Sequence, residues 1–302
     1  MTVTAVFGVS WEPHPEVWLL LAGLIGLGVY AVRVIGPRVV PDGEPVVSNR
    51  QKAAFAASMV LLWIAADFPI HDIAEKRLYS VHMFQHTMLS LFIPPLLLLS
   101  IPTWLARLVV GNGRAGPVVR FVTRPVVAAV LFNAVQAFTH WTAVVNTSVE
   151  NGPFHYALHV AVFTTALMVW FPVCGPLPEL RISLPGQMVH LFLLSIIPTI
   201  PGAWLALADG IVYKAYDTPD RLWGISVTHD QQIAGLIMKL GAGGFLWIVI
   251  AGLFFTWAKR HEESRKLNRT ITEREVLTWD SVQAEFDRLG TAPEEPTAKP
   301  SA

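Results

Sequence analysis

The sequence predicts an all-α polytopic membrane protein with seven transmembrane helices, its N-terminus outside and its C-terminus in the cytoplasm. Three observations lead there. The 302 residues are 53% hydrophobic and only 15% charged, with a mean hydropathy of +0.48, against roughly a quarter charged in soluble domains. The apolar residues fall in blocks of about 20, the length that crosses a bilayer as a helix. Basic residues gather on alternate connections, which sets orientation.

The blocks lie at 16–35, 53–71, 82–102, 125–145, 154–173, 187–208 and 231–257. Each is expected to be helical, because a backbone in lipid must satisfy its polar groups within its own segment. The first connection carries Arg33, Arg38, Arg50 and Lys52, the third Arg107, Arg114, Arg120 and Arg124, and the fifth Arg181. Lys259, Arg260, Arg265, Lys266 and Arg269 follow the last span. The opposite side has Lys76, Arg77, Lys214 and Arg221 diluted by Asp72, Glu75, Asp209, Asp217 and Asp220. These connections place residues 1–260 in a membrane domain and 261–302 in a cytoplasmic tail. Within the tail, 271–290 reads as an amphipathic helix with Val276, Val282, Phe286 and Leu289 on one face. The Pro- and Ala-rich end reads as disordered. Pro94, Pro95, Pro198 and Pro201 interrupt spans and should kink or open them.

A zero net charge gives no basic field for nucleic acid. The single cysteine, Cys174, excludes an internal disulfide and a multi-cysteine metal site, and reads as structural. The N-terminus lacks the basic region of a cleaved signal peptide. No phosphate loop, nucleophile triad or HExxH motif is present.

Chemistry-bearing residues concentrate at one end. Eight of the ten histidines, His14, His71, His82, His86, His140, His155, His159 and His229, sit at the outer ends of the spans, with His190 and His261 toward the inside. His82/His86 and His155/His159 have the i,i+4 spacing that puts both rings on one helix face. Neutral imidazole suits copper, zinc, iron and nickel, and a nearby thioether such as Met83 or Met88 favours Cu(I). A metal site is therefore expected from His82, His86, His155 and His159, with His140, His71, His229 and Met83 as further candidates. An interfacial pair satisfied by water or backbone is the competing reading. Asp67 stands four residues before His71 and Asp230 directly after His229, each placed to orient a ligating ring. Lys239 lies about two turns inside the last span, where a charge is costly unless paired, hydrated or snorkelling; Asp67 is its candidate partner. His14 reads as a bystander in an exposed stretch, and His190 as a hydrogen-bonded packing residue.

Three stretches resemble a known family. HMFQHTMLSLFIPPLLLLSIP is similar to the third helix of the seven-helix CtaG-like cytochrome c oxidase assembly proteins. WFPVCGPLPEL followed by LPGQMVHLF is similar to their cytoplasmic turn between spans five and six, and WGISVTHDQQIAGLIM to the approach to their last span. Together these cover most of 70–250. The resemblance implies a multi-pass protein of the bacterial plasma membrane that helps assemble a haem–copper oxidase, with an oxidase subunit as partner and copper as the delivered ion. The motif residues that carry over are His82, Gln85, His86, Asp230, Gln231 and Gly235; Lys239 stands where the family often has an aromatic residue.

The expected function is an assembly factor and not an enzyme. It would hold copper, rather than haem, at an outer-face His/Met site open enough to hand the ion on. Two other classes compete. A copper transporter would use Lys239, the prolines and His190 along a path. A b-type haem protein would take axial histidines from the same cluster.

Overall fold

The computed structural model describes residues 11–111, 115–196, 199–219, 221–275 and 279–290. The described residues are helical with no strand. The helices are α1 (Pro15–Val39), α2 (Asn49–Ala66), α3 (Ile70–Lys76), α4 (Tyr79–Ser100), α5 (Thr103–Val110), α6 (Ala115–Val122), α7 (Pro125–Thr139), α8 (Thr142–Glu150), α9 (Gly152–Cys174), α10 (Leu184–Ile196), α11 (Thr199–Ala206), α12 (Val227–Ile271) and α13 (Trp279–Leu289). Among the described residues, five helical stretches are long and apolar enough to cross a membrane alone: α1, α4, α9, the stretch from α10 through α11, and α12. The count reaches seven if the bent pairs α2–α3 (42°) and α6–α7 (72°) each count as one span.

Two expected spans are broken. The expected second span runs through residue 71, but α2 stops at Ala66. Pro69 offers no N–H to continue the helix, and His71 moves onto α3. The expected fourth span runs to 145, but α7 ends at Thr139 and a new helix starts at Thr142, which leaves His140 in the joint between α7 and α8.

α4 is the most buried of the spans and forms the bundle's axis. It packs against α2, α9 and the start of α12, while α7 packs on α9 and α1 lies outside α2. One core, at the end away from most histidines, gathers Leu91, Leu98, Phe132, Val169, Trp170 and Leu191. A second gathers Tyr79, Met83, Leu205, Tyr213, Tyr216 and Met238. A π-turn at Met88–Phe92 precedes Pro94 in α4. Pro94 cannot donate to the carbonyl of Ser90, and the Trp170 indole fills that place at 3.0 Å. Pro198 lies outside the described residues.

α11 and α12 touch backbone to backbone. A Cβ at Gly235 would fall on the main chain of Ala206 and Gly202, and one at Gly202 would press Met238 and the Gly235 carbonyl. Small residues at such a crossing let membrane helices approach closely.

Contacts divide the chain into a unit ending at Leu253 and a second beginning at Phe254. The second unit holds the polar end of the helix that runs on to Glu275, and then α13, where Val282 and Phe286 are half-buried and Leu289 is exposed. Val276 and the Pro- and Ala-rich end lie outside the described residues.

Candidate metal centre

The two histidine pairs meet. Asn151 caps α9 by accepting the Phe154 N–H at 3.1 Å, and this fixes the first turn that carries His155. His159 follows one turn on. Ring centroids are 4.3 Å apart within His155/His159 and 4.5 Å within His82/His86. Between the helices, His82 lies 5.3 Å from His155 and 5.6 Å from His159, and His86 lies 5.0 Å from His159. The side chains of His82, His155 and His159 each offer a nitrogen within 4.8 Å of the others, which makes them the one such group of three among the described residues. Two nitrogens on a single ion at about 2.0–2.1 Å each sit no more than roughly 4.2 Å apart. Side-chain rotation of about 1 Å therefore closes the group on an ion. The space between these rings is about 10 Å³ and is bounded also by Val145, Leu158 and Thr139.

The hydrogen bonding of this cluster is incomplete. His82 Nδ1, His86 Nδ1, His140 Nε2, His155 Nε2 and His159 Nε2 are all buried without a partner. An unmet buried polar atom costs about 1–3 kcal/mol, and native folds tolerate only a few per hundred residues. Five on neighbouring imidazoles, four of them on rings that line this one space, leave nitrogens available to a cation.

The other expected ligands lie elsewhere or are occupied. His71 accepts from Gln85 Nε2 on Nδ1 at 3.2 Å, and its Nε2 faces Glu75 at 3.3 Å, so both ring nitrogens are used. Its ring is 6.5 Å from that of His155. His229 is exposed at the start of α12, apart from the cluster. Met83 is buried among Tyr79, Leu205 and Met238 and lines a deeper cavity beside His86. His190 donates or accepts nothing toward the cluster; its Nε2 bonds the Val169 carbonyl at 3.0 Å.

The supporting groups also differ from expectation. Asp67 does not orient His71. Its carboxylate accepts from the indoles of Trp18 (2.9 Å) and Trp63 (2.6 Å) and from the Phe68 N–H (2.9 Å), tying α1 to α2. It is therefore not paired with Lys239, which is exposed on the π-turn Ile237–Ala242 and forms no ion pair among the described residues. Asp230 does not hold His229. It accepts from the N–H groups of Tyr79 (2.7 Å) and Ser80 (3.0 Å) and from Ser80 Oγ, and so caps the N-terminus of α4 across the bundle. That is where a carboxylate is favoured by the unmet N–H groups and the helix dipole. Asp230→Ala is expected to destabilise the fold by about 2 kcal/mol. By loosening the turn that carries His82, it should also weaken metal binding about tenfold or more. Thermal unfolding and competitive metal titration check the two effects.

Sequence reasoning misplaced one contributor, His14, and named two others, Gln85 and Gln231, as motif residues without a structural role. His14 is buried, not an exposed bystander: Nε2 meets Asp72 and Nδ1 meets Glu16, each at 3.2 Å, and its ring lies edge-on to His71 at 4.8 Å. Burial lowers the pKa of His14, but the Asp72 and Glu16 carboxylates outweigh it and hold the imidazole above its ordinary value. This contact therefore stabilises fully below the ordinary histidine range and is lost as pH rises through the raised value. Amide protection in the first turn of α1, corrected for intrinsic exchange, should fall across that range in the wild type and stay flat in His14→Gln. Gln85 donates to the Ala65 carbonyl at 2.8 Å as well as to His71. Gln231 accepts from Val212 N–H at 2.9 Å and donates to the Tyr213 carbonyl at 3.3 Å, anchoring the loop that precedes α12. Apart from Glu16, two residues from His14, the partners of His14 and Gln85 are 14 to 58 residues away, and no local pattern announces them.

These features define a helical, multi-pass membrane protein with a buried histidine centre at one end of its bundle. Residues 28–260 match the family model described as Cytochrome c oxidase caa3 assembly factor (Caa3_CtaG). The chain belongs to that family of cytochrome c oxidase assembly factors. It is also 24% identical over 237 residues to uncharacterized proteins of Mycobacterium bovis and Mycobacterium tuberculosis, and 27% identical to one of Mycobacterium leprae. Each match covers 71% of this chain but 36% of the relative, so the chain spans about a third of the length of these curated relatives. No solved structure matches.

Proposed function

We propose that this protein holds copper transiently at the His82/His155/His159 centre and supplies it to a haem–copper oxidase during assembly. The proposal places it in the bacterial plasma membrane, with the histidine end on the outer side. The observation that carries this reading is the convergence of four histidines, His82, His86, His155 and His159, each with a buried unpartnered ring nitrogen, on one small pocket. Membership of an oxidase assembly family supplies the recipient. The basic residues at the opposite connections support the orientation.

The donor set favours a monovalent ion. The three rings are neutral ligands and bring no carboxylate to offset charge. Burying an ion without counter-charge is expensive and grows steeply with its charge, so Cu(I) is favoured over a divalent metal. Imidazole is a competent ligand for it. Three nitrogens leave an open coordination position, which suits an ion that must be passed on. Spaces of about 10 and 40 Å³ at the histidines admit an ion and not a porphyrin. His82→Leu with His155→Leu, introduced in a strain lacking the native copy, should leave the protein in the membrane but lower copper-loaded oxidase. Normal oxidase copper content in that strain would remove the proposal.

A further inference from the structure

His86 lines two cavities. One is the space between the triad rings; the other lies deeper in the bundle, has a volume of about 40 Å³, and is bounded also by Met83, Gln136, His140, Ser195 and Met238. Three buried atoms on residues of this wall have no partner: His86 Nδ1, Gln136 Oε1 and His140 Nε2. The tautomer of His140 follows from its neighbours. Its Nδ1 lies 2.6 Å from the Gln136 carbonyl oxygen, which can only accept. Nδ1 therefore carries the proton, and Nε2 presents a lone pair. The Gln136 amide oxygen is likewise an acceptor. The turn that closes α7 joins His140, its C-cap, to the Gln136 carbonyl and brings both residues to the wall of this cavity.

Two unmet acceptors, His140 Nε2 and Gln136 Oε1, beside an unpartnered His86 nitrogen are completed by a water or by a cation. A water is satisfied by hydrogen-bond acceptors alone. Here two thioethers, Met83 and Met238, are built into the same wall, and thioethers are soft ligands that select Cu(I). Building on the copper reading of the triad, we infer that this cavity is a second Cu(I) position. It takes His86, His140 and the Gln136 amide oxygen as ligands, with methionine sulfur completing the shell. His86, the residue common to both cavities, relays the ion between the triad and this deeper position. The ion stays Cu(I) throughout, so ligand exchange is the only chemistry required. Nothing in the spacing of the triad required Gln136; its place four residues before His140 is the sequence signal.

The test is an anaerobic Cu(I) titration of the purified full chain against a chromophoric chelator. The wild type is expected to bind two ions per chain. His155→Leu with His159→Leu should bind one, at the deeper position, and Gln136→Leu with His140→Leu should bind one, at the triad. A wild type that binds a single ion, lost on changing His155 and His159, overturns the deeper position and leaves the triad standing; the cavity then holds water. A wild type that binds none overturns the copper reading itself. Because the wild-type stoichiometry decides the matter, a failure of the Gln136/His140 variant to fold does not shield the inference.

Discussion

Changing His155 and His159 together to leucine is expected to remove the triad's ion and lower copper affinity at that position about 100-fold or more. Two of three ligands disappear, and the remaining ring, His82, has no second nitrogen within reach except through His86 on the same helix. The fold should survive and gain stability. The variant replaces two buried nitrogens that lack partners with apolar groups of similar size, a change that is neutral or favourable when the polar atoms were unmet. A rise in thermal midpoint together with a loss of copper is a combination that a purely structural histidine pair does not give. If the pair were structural, its removal would leave copper binding unchanged. The measurement is a copper titration paired with a thermal melt of the same sample.

The second large effect is expected at Gly235, which ligates nothing. Leucine there must force α11 and α12 apart, since even a Cβ meets the main chain of Ala206 and Gly202. Overpacking of this kind costs about 1–3 kcal/mol, and rigid backbone on both sides puts the expected loss near 3 kcal/mol. The displacement would also move the first turn of α12, and with it Asp230, the cap on the helix that carries His82. Gly235→Leu should therefore lower the folded yield and weaken copper binding together. Gly244→Ala on the same helix meets nothing within 4 Å and should be neutral or slightly stabilising. Thermal unfolding and gel filtration of the two variants in one detergent separate these outcomes.

Much of the fold is legible in the sequence because membrane spans are local features: a run of about 20 apolar residues states its own secondary structure. The two histidine pairs are legible for the same reason, since i,i+4 spacing fixes which face they share. That the pairs meet depends on α4 packing against α9, which spacing alone does not state. The breaks at Pro69 and after Thr139 interrupt runs whose hydropathy continues, so composition passes over them. Asp67 shows a further limit. Its distance of four residues suggested His71 as a partner, but the indoles of Trp18 and Trp63 reach it first, one of them from another helix. Asp230 is similar: its role lies 150 residues away at the start of α4. Residues that position a site across a bundle are set by tertiary contacts. The motif around Asp230, Gln231 and Gly235 accordingly reads as support for the histidine helix rather than as ligands.

The central claim is that imidazoles from two helices, α4 and α9, share one copper ion. X-ray absorption at the copper edge tests it most directly, on the full chain carrying one equivalent of Cu(I). A shell of imidazole nitrogen with the outer scattering of intact rings is expected, replaced in the His155→Leu/His159→Leu variant by the mixed nitrogen, oxygen and sulfur shell of the deeper position. Copper that washes off the wild type, or a shell without imidazole scattering, contradicts it.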